Sequence, residues 1–263
     1  MKLAKHIFTL VLVFTSITIQ AQKLKVIAYN VEFAKNTTPE EMAAYLKSEK
    51  ADIICFNEVP AQGWTKEVGK LLGLPYSYEG EIASAHHTEE FKDKTKKYFG
   101  KYKSILCKYP LENTNEITIE GSGWSPATAV SATIKINDST SVRVFSLHIP
   151  SGESNPDNSR AYHLAKIIKE QYATTDKIIV AGDFNDVHDS KPMQYFYNAG
   201  LQNPWEELKV DLSNQTTYPS GKVNSYVIDH ILFKGFEVIS TGILKERTKP
   251  LSDHSAVRVV FEY

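Results

Sequence analysis

Cysteine is scarce in this chain. Only Cys55 and Cys107 occur in 263 residues, too few for a disulfide framework even in an oxidising compartment. Each sits in an apolar run, Asp-Ile-Ile-Cys-Phe and Ser-Ile-Leu-Cys-Lys, so both are expected as buried small hydrophobes, with a single bridge as the alternative. A membrane-length apolar run is also missing. The uncharged run from Ile7 to Ile19 holds about 13 residues, against the roughly 20 of a spanning helix, so no stable membrane anchor is expected. Lys2 and Lys5 precede that run and the small residue Ala21 follows it, the pattern of a cleaved signal peptide over residues 1–21. The mature chain is therefore expected to be secreted or periplasmic.

Charge of one sign is not in excess either. The net charge is −1, and loss of Lys2 and Lys5 with the leader makes it −3. Chains that hold long nucleic acids through their phosphates usually carry surplus Lys and Arg. The absence of that surplus weighs against a tight polynucleotide binder, though not against a nuclease. Repeats, low-complexity stretches and Pro/Gly/Ser-rich linkers are absent as well, so residues 22–263 are expected as one domain.

What is present is a series of apolar strands with helices at intervals. Strands are expected at Leu24 to Asn30, Asp52 to Val59, Ile105-Leu106, Ile117 to Ile119, Val130 to Ile136 and Val142 to Ile149. Four more follow at Lys177 to Ala181, Val227 to Phe233, Phe236 to Ile239 and Val257 to Phe261. Thr38-Pro39-Glu40-Glu41 supplies an N-cap, a proline at the first helical position and a capping-box glutamate. Met42, Tyr45 and Leu46 would line the face of the helix that follows. Trp64, Val68, Leu71 and Leu72 repeat that spacing before Gly73. A third helix is expected from about Ser159 to Gln171, with Tyr162, Leu164, Ala165 and Ile168 against the core. The pattern predicts an α/β (α+β) fold, a four-layer sandwich of two packed mixed β-sheets flanked by helices.

Polar residues end several of these apolar strands, where a side chain can leave the core and enter a cleft. They are Asn30 in Val-Ile-Ala-Tyr-Asn, Glu58 in Ile-Ile-Cys-Phe-Asn-Glu, His148 in Val-Phe-Ser-Leu-His, and Asp183 with Asn185 in Gly-Asp-Phe-Asn. Asp229 lies in Val-Ile-Asp-His-Ile-Leu-Phe, and Asp253-His254 follows Ser252 ahead of the last strand. Any one of these has a bland reading: Asn30 as a turn residue, His148 as a satisfied core histidine, Asp253-His254 as a strand cap. It is their order that carries information. Tyr29-Asn30, Asn57-Glu58, Ser146-Leu147-His148, Gly182-Asp183-Phe184-Asn185, Ile228-Asp229-His230-Ile231-Leu232 and Ser252-Asp253-His254 together resemble the endonuclease/exonuclease/phosphatase superfamily. Its members include pancreatic-type deoxyribonucleases, abasic-site endonucleases, neutral sphingomyelinases and inositol-polyphosphate phosphatases.

The resemblance implies an enzyme that cleaves a phosphate ester with an activated water and without a covalent intermediate. Glu58, with Asn30 and Asp253, would offer the hard oxygen ligands suited to Mg²⁺ or Mn²⁺. Asp183 would orient and deprotonate the water, with Asn185 as its positioning partner. His148 would donate to the phosphate, and Asp229 would hold the imidazole of His254 in one tautomer. Acid, base and phosphate donor all remain open for His254, as do one metal and two.

Three positions depart from the family pattern. Tyr102-Lys103-Ser104-Ile105-Leu106-Cys107 stands in place of a Gly-Asn-Ala-Ile-Leu-Ser type of strand, His163 in place of Gln after Arg160, and His230 in place of Tyr. Lys103, Arg160, His163 and His230 are accordingly expected to be structural or on the surface. Phe91 to Lys103 carries six lysines among Tyr98, Phe99 and Tyr102, a solvated loop on the simpler reading or a grip on a polyanion with rings for bases. His86-His87 has no partner at ligand spacing and is a weak metal signal.

The expected partner is a phosphate-ester substrate, with nucleic acid first and a small sugar or inositol phosphate or phospholipid headgroup second. A sphingomyelinase fits less well, since no long aromatic hairpin is evident for entering a bilayer. A noncatalytic binding relative is the rival of another class, and no protein partner is indicated.

Overall fold

The computed structural model describes residues 22–60, 63–84, 101–222, 225–245 and 250–263. The leader, His86, His87 and most of the lysine-rich segment lie outside the described residues. Within them, Lys23–Asn30 (β1), Ile53–Val59 (β2), Tyr76–Glu79 (β3), Tyr102–Cys107 (β4), Glu237–Ile243 (β10) and Val257–Glu262 (β11) build one sheet, in the order β10-β11-β1-β2-β4-β3. Leu111–Thr118 (β5), Thr128–Lys135 (β6), Ser141–His148 (β7), Ile178–Asp183 (β8) and Asp229–Lys234 (β9) build the second in sequence order. Each sheet is mixed, with one parallel pair at its centre, β1 with β2 and β7 with β8.

Those central strands read as unbroken apolar runs because both of their faces are buried. Along β1, Leu24, Val26 and Ala28 face the second sheet, where they meet Val144, Ile179 and Ala181. Ile27 and Tyr29 face the other way, with Met42 and Leu46 of α1 (Pro39–Leu46) and Trp64 and Val68 of α2 (Trp64–Leu72). Across the second sheet, Phe145, Leu147 and Val180 pack on Leu164 and Ile168 of α3 (Arg160–Gln171) and on Met193 and Phe196 of α4 (Lys191–Asn198). Helices, sheet, sheet, helices: the four-layer sandwich is the observed fold. Cys55 and Cys107 are both free and both buried in the layer between the sheets.

Local chemistry sets the helix ends. Thr38 accepts from Glu41 N while the Glu41 carboxylate accepts from Thr38 N, a complete capping box. Gly73 ends α2 in the left-handed conformation, φ 74°. Several expectations need correction. Leu71 points into solvent, 46% exposed, and Tyr162 is only half-buried, whereas Tyr45 packs beside Met42 and Leu46 as expected. The strand expected from Val227 begins at Asp229, and the one expected at Ile117 to Ile119 is the far end of the longer β5. β3, α4 and the short α5 (Pro204–Glu207) were not anticipated.

His230 is fully buried in β9, its Nε2 3.0 Å from Asp186 O and its ring 5.6 Å from that of Phe184. Burial outweighs the hydrogen bond to Asp186 and pushes its pKa down to about 4. The folded state thus refuses a proton that the unfolded chain takes near pH 6.5. Stability should be intact above that pH and fall as the pH drops toward 4, by about 3 kcal/mol from this group. His230→Gln keeps an N–H for Asp186 O and removes the titration. Urea unfolding at pH 7 and pH 4 should therefore show the variant losing less stability than the parent; equal losses would contradict a neutral buried imidazole.

Candidate active site

Because β1/β2 and β7/β8 are parallel pairs, their carboxyl ends gather at one end of the sandwich. The antiparallel β9 and β11 begin there. His148, Asp183 and Asp229 are register partners in one row across β7, β8 and β9. Asn30 and Asn57 are partners in the facing sheet. All eight residues singled out from the sequence lie at this end: Asn30, Glu58, His148, Asp183, Asn185, Asp229, Asp253 and His254.

Asp183 is the hub, 1% exposed. Its Oδ2 accepts from Asn30 Nδ2 at 3.0 Å and lies 3.5 Å from His148 Nε2 and 3.6 Å from His254 Nε2. Its Oδ1 accepts from Asn185 N at 2.9 Å, and Asn185 Nδ2 donates to Ile149 O. Asn185 holds φ 53°, a conformation that asparagine tolerates better than most side chains. Burial, with Asp229 nearby, raises the Asp183 carboxyl above its usual pKa, against the pull of His254, His148 and Asn30.

The His254 ring is fixed on two sides. Nδ1 is 2.8 Å from Asp229 Oδ2, and the Tyr218 ring packs at 4.7 Å. Burial alone would lower the imidazole pKa, but Asp229 and Asp183 push it up to about 10. His148 lies between Asp183 and Glu58, its Nδ1 3.8 Å from Glu58 Oε1 and its ring 5.0 Å from that of Trp124. Burial is the largest influence on it and lowers its pKa.

Glu58 adopts φ 50° at a bulge between Asn57 and Val59, a left-handed conformation that costs a non-glycine residue about 1–3 kcal/mol. Its Oε2 pairs with Lys101 Nζ at 2.7 Å and its Oε1 accepts from Asn30 Nδ2 at 3.4 Å. Burial would raise its pKa, yet His148, Lys101 and Asn30 together hold it below the usual range. The Asp253 side chain is 43% exposed, and it feels the charges of Glu32 and Glu58. Asn30 Oδ1 accepts from Glu32 N, which leaves that oxygen a second lone pair.

Two groupings bear on a cation. Ligand atoms of Asp183, Asp229 and His254 lie within 4.8 Å of one another. There, however, His254 Nδ1 is already paired with Asp229 Oδ2 at 2.8 Å and His254 Nε2 faces Asp183 Oδ2 at 3.6 Å, so the three groups already hold one another. Glu58 and Asp253 fit a hard divalent ion better. They bring carboxylate oxygens, Glu58 is held ionised, and a cationic amine already rests against it. Surface cavities of about 260 and 600 Å³ lie elsewhere, around α1 and α2.

Two residues gain a role that sequence reasoning missed. Asn57 is fully buried between the sheets. Its Oδ1 accepts from Asp183 N at 3.1 Å and its Nδ2 donates to Ser146 Oγ at 3.3 Å, tying β2 to β8 and β7 behind the Asp183 carboxylate. Gly182 permits that approach, since a Cβ there would meet Leu147 O at 2.0 Å and the Asn57 amide at 3.0 Å. The only sequence signal was a polar residue at a position where β2 faces inward. Asn57→Ala leaves the Asp183 N–H buried and unpaired, and is expected to lower stability by about 1–3 kcal/mol in chemical denaturation.

Lys103 is the other. Of the two places expected for it, structural or on the surface, it takes the structural one: it is fully buried, with Nζ 3.4 Å from Ile82 O and from Ser84 Oγ. Burial lowers its pKa to about 8, partly countered by Glu116 and Glu58. Arg160 is structural: it donates to Ile119 O and, at 3.3 Å, to Trp124 O. His163 lies half-buried beside Asn158.

The fold has solved counterparts. It resembles an endonuclease/exonuclease/phosphatase from Beutenbergia cavernae DSM 12333 at TM-score 0.71 and 14% identity, over 91% of this chain and 71% of that one. A family protein from Bacteroides thetaiotaomicron gives 0.69 and 16%, over 93% and 99%. D. rerio TDP2, complexed with a single-strand DNA product, gives 0.66 and 14%, over 92% and 99%. No curated protein gives a significant match. The sequence itself matches the model of the endonuclease/exonuclease/phosphatase family from residue 27 to residue 254, a stretch that runs from β1 to His254 and takes in all eight residues above, and the chain belongs to that family.

Proposed function

We propose that this protein is an exported, divalent-metal-dependent phosphodiesterase that uses Mg²⁺ or Mn²⁺ and attacks its substrate directly with water. One observation carries this reading: the Asp183 carboxylate is set among Asn30, His148 and His254 Nε2, with the ionised Glu58 alongside. A cation at Glu58 and Asp253 would supply polarisation of the phosphoryl oxygens and the leaving group. Asp183 takes the proton of the attacking water, a task helped by a carboxyl whose basicity burial has increased. Asn185 and Asn57 hold Asp183 in place through backbone contacts. His148 and His254 donate to the charge that builds on phosphorus, and Asp229 keeps the His254 ring aimed. The signal-peptide pattern of residues 1–21, with Lys2 and Lys5 ahead of an uncharged run and Ala21 behind it, supports a secreted or periplasmic location, and no described helix is long and apolar enough to cross a membrane.

A polynucleotide or oligonucleotide is the first substrate class, favoured by the likeness to TDP2, which was captured with a DNA strand. A small sugar or inositol phosphate is the second, favoured by the net charge of −3 expected once the leader is lost. The purified mature chain should be screened with Mg²⁺ and with Mn²⁺ against DNA, RNA, sphingomyelin, phosphoinositides and a bis-aryl phosphodiester. Hydrolysis of at least one, abolished by a chelator and restored by the ion, is expected. Chelator-resistant activity, or none on any ester, would refute the proposal.

A further inference from the structure

Of the lysines between Phe91 and Lys103, Lys101 and Lys103 lie among the described residues, and neither points freely into solvent. Lys101 turns into the cleft. Its Nζ is 2.7 Å from Glu58 Oε2, in a pair whose side chains are 18% and 10% exposed. The Phe33 ring lies 5.2 Å from the same nitrogen, close enough for an ammonium to be drawn to the ring face. Lys35 and Glu32 make a useful contrast. They pair at 3.1 Å with the lysine 51% exposed, the solvated kind of contact that contributes little.

The backbone on both sides supports the Lys101 contact. Lys101 O accepts from Ser84 N at 3.0 Å directly ahead of β4, which fixes where the side chain starts. Glu32, Phe33 and Ala34 hold φ of 45°, 45° and 52°, three consecutive left-handed residues without a glycine. Residues with a Cβ enter that region singly and at a cost, and such a run persists only where its surroundings over-determine it. Here the turn carries the Phe33 ring to the ammonium.

Glu58 is also the carboxylate best suited to the divalent ion, so two cations compete for one group. Its other oxygen, Oε1, faces Asn30 Nδ2 at 3.4 Å and His148 Nδ1 at 3.8 Å. An ammonium has donors only and cannot join the ligands of a metal, and its charge repels one. From this arrangement we infer that Lys101 is a tethered competitor of the metal at Glu58: the ion binds as the amine leaves, and Lys101 thereby sets how much metal the enzyme needs. The inference rests on the metal-dependent reading of the site and deepens it. Apparent affinity falls with the fraction of molecules whose site is open. A tethered group acts at an effective concentration in the millimolar range that dilution cannot lower. The amine has a way out, through the exposed part of a flexible four-carbon stem.

The test reads metal binding directly, without substrate. Mn²⁺ is titrated into the chelator-stripped protein and the free ion is followed by electron paramagnetic resonance. Lys101→Met keeps the stem and removes the charge, and should bind Mn²⁺ at least about 5-fold more tightly than the parent. Lys101→Arg keeps the charge and should stay within about 2-fold of it. Glu58→Gln should lose the binding. Thermal melts supply a second readout: Lys101→Met should melt below the parent without metal, where Glu58 has lost its partner, and the gap should close at saturating Mn²⁺.

Equal or weaker binding by Lys101→Met overturns the inference, and a raised KM in that case makes the amine a substrate contact instead. A melt that stays equally far below the parent with and without Mn²⁺ makes the pair a structural bridge, and overturns it too. If neither the parent nor Lys101→Met binds Mn²⁺ saturably, the metal reading itself falls and takes the inference with it. Binding that is lost in Glu58→Gln yet unmoved in Lys101→Met leaves the metal reading standing and removes the competitor alone.

Discussion

Exchanging Asp183 for alanine should lower turnover at least about 100-fold, the usual scale for loss of a positioned acid–base group, without unfolding the protein. Its carboxylate is the atom group on which Asn30, His148 and His254 converge. The energetic sign is unusual for so connected a residue. Burial and Asp229 raise the Asp183 pKa, so the folded state holds this carboxylate less readily than the unfolded chain does. Its ionised form is a burden on stability above the ordinary carboxylate pKa, relieved as the pH falls. Asp183→Asn keeps an oxygen for Asn185 N and removes the charge. It is expected to be as inactive as the alanine variant while melting no lower than the parent. Steady-state kinetics and a thermal melt of the same samples check both halves. Near-normal turnover in either variant would contradict the role of Asp183, and a large fall in melting temperature for Asp183→Asn would mark it as a structural residue.

How much of this was legible in the sequence follows from burial. β1, β2, β7 and β8 are buried on both faces, so each appears as an apolar run, and the polar residue that ends the run is conspicuous: Asn30, Glu58, His148, Asp183. β3 and β5 lie at sheet edges and are largely exposed, so nothing in their composition separates them from loops. α4 and α5 are short, and each begins with proline within its first two residues, a signal that marks a start but gives no length. Residues acting across the gap between sheets were harder still. Asn57 meets Ser146 and Asp183, 89 and 126 positions away, and for Lys103 the sequence left a structural and a surface place open, of which the structural one is observed. Trp124 sits in a Gly-Ser-Gly-Trp-Ser-Pro loop that gave no hint of a histidine beneath it.

The His254–Asp229 pair supplies the second large effect and a way to separate two jobs for one carboxylate. His254→Ala is expected to reduce turnover at least about 100-fold, since its Nε2 is one of the two imidazole nitrogens facing Asp183 Oδ2. If Asp229 works only by holding the imidazole through Nδ1, then Asp229→Asn should be slow in the parent and harmless once the ring is gone. The double variant should then match His254→Ala to within about 3-fold, as groups acting as a unit do. A multiplied loss would mean that Asp229 acts without the ring. The structure offers a reason to look, because Asp229 Oδ1 is buried without a hydrogen-bond partner among the described residues and its carboxylate is within reach of Asp183. Repeating the cycle at low and saturating Mn²⁺ tells the cases apart: a carboxylate that only orients His254 leaves the metal dependence of turnover where it was, whereas one that also holds the ion shifts it to higher concentration even in the His254→Ala background.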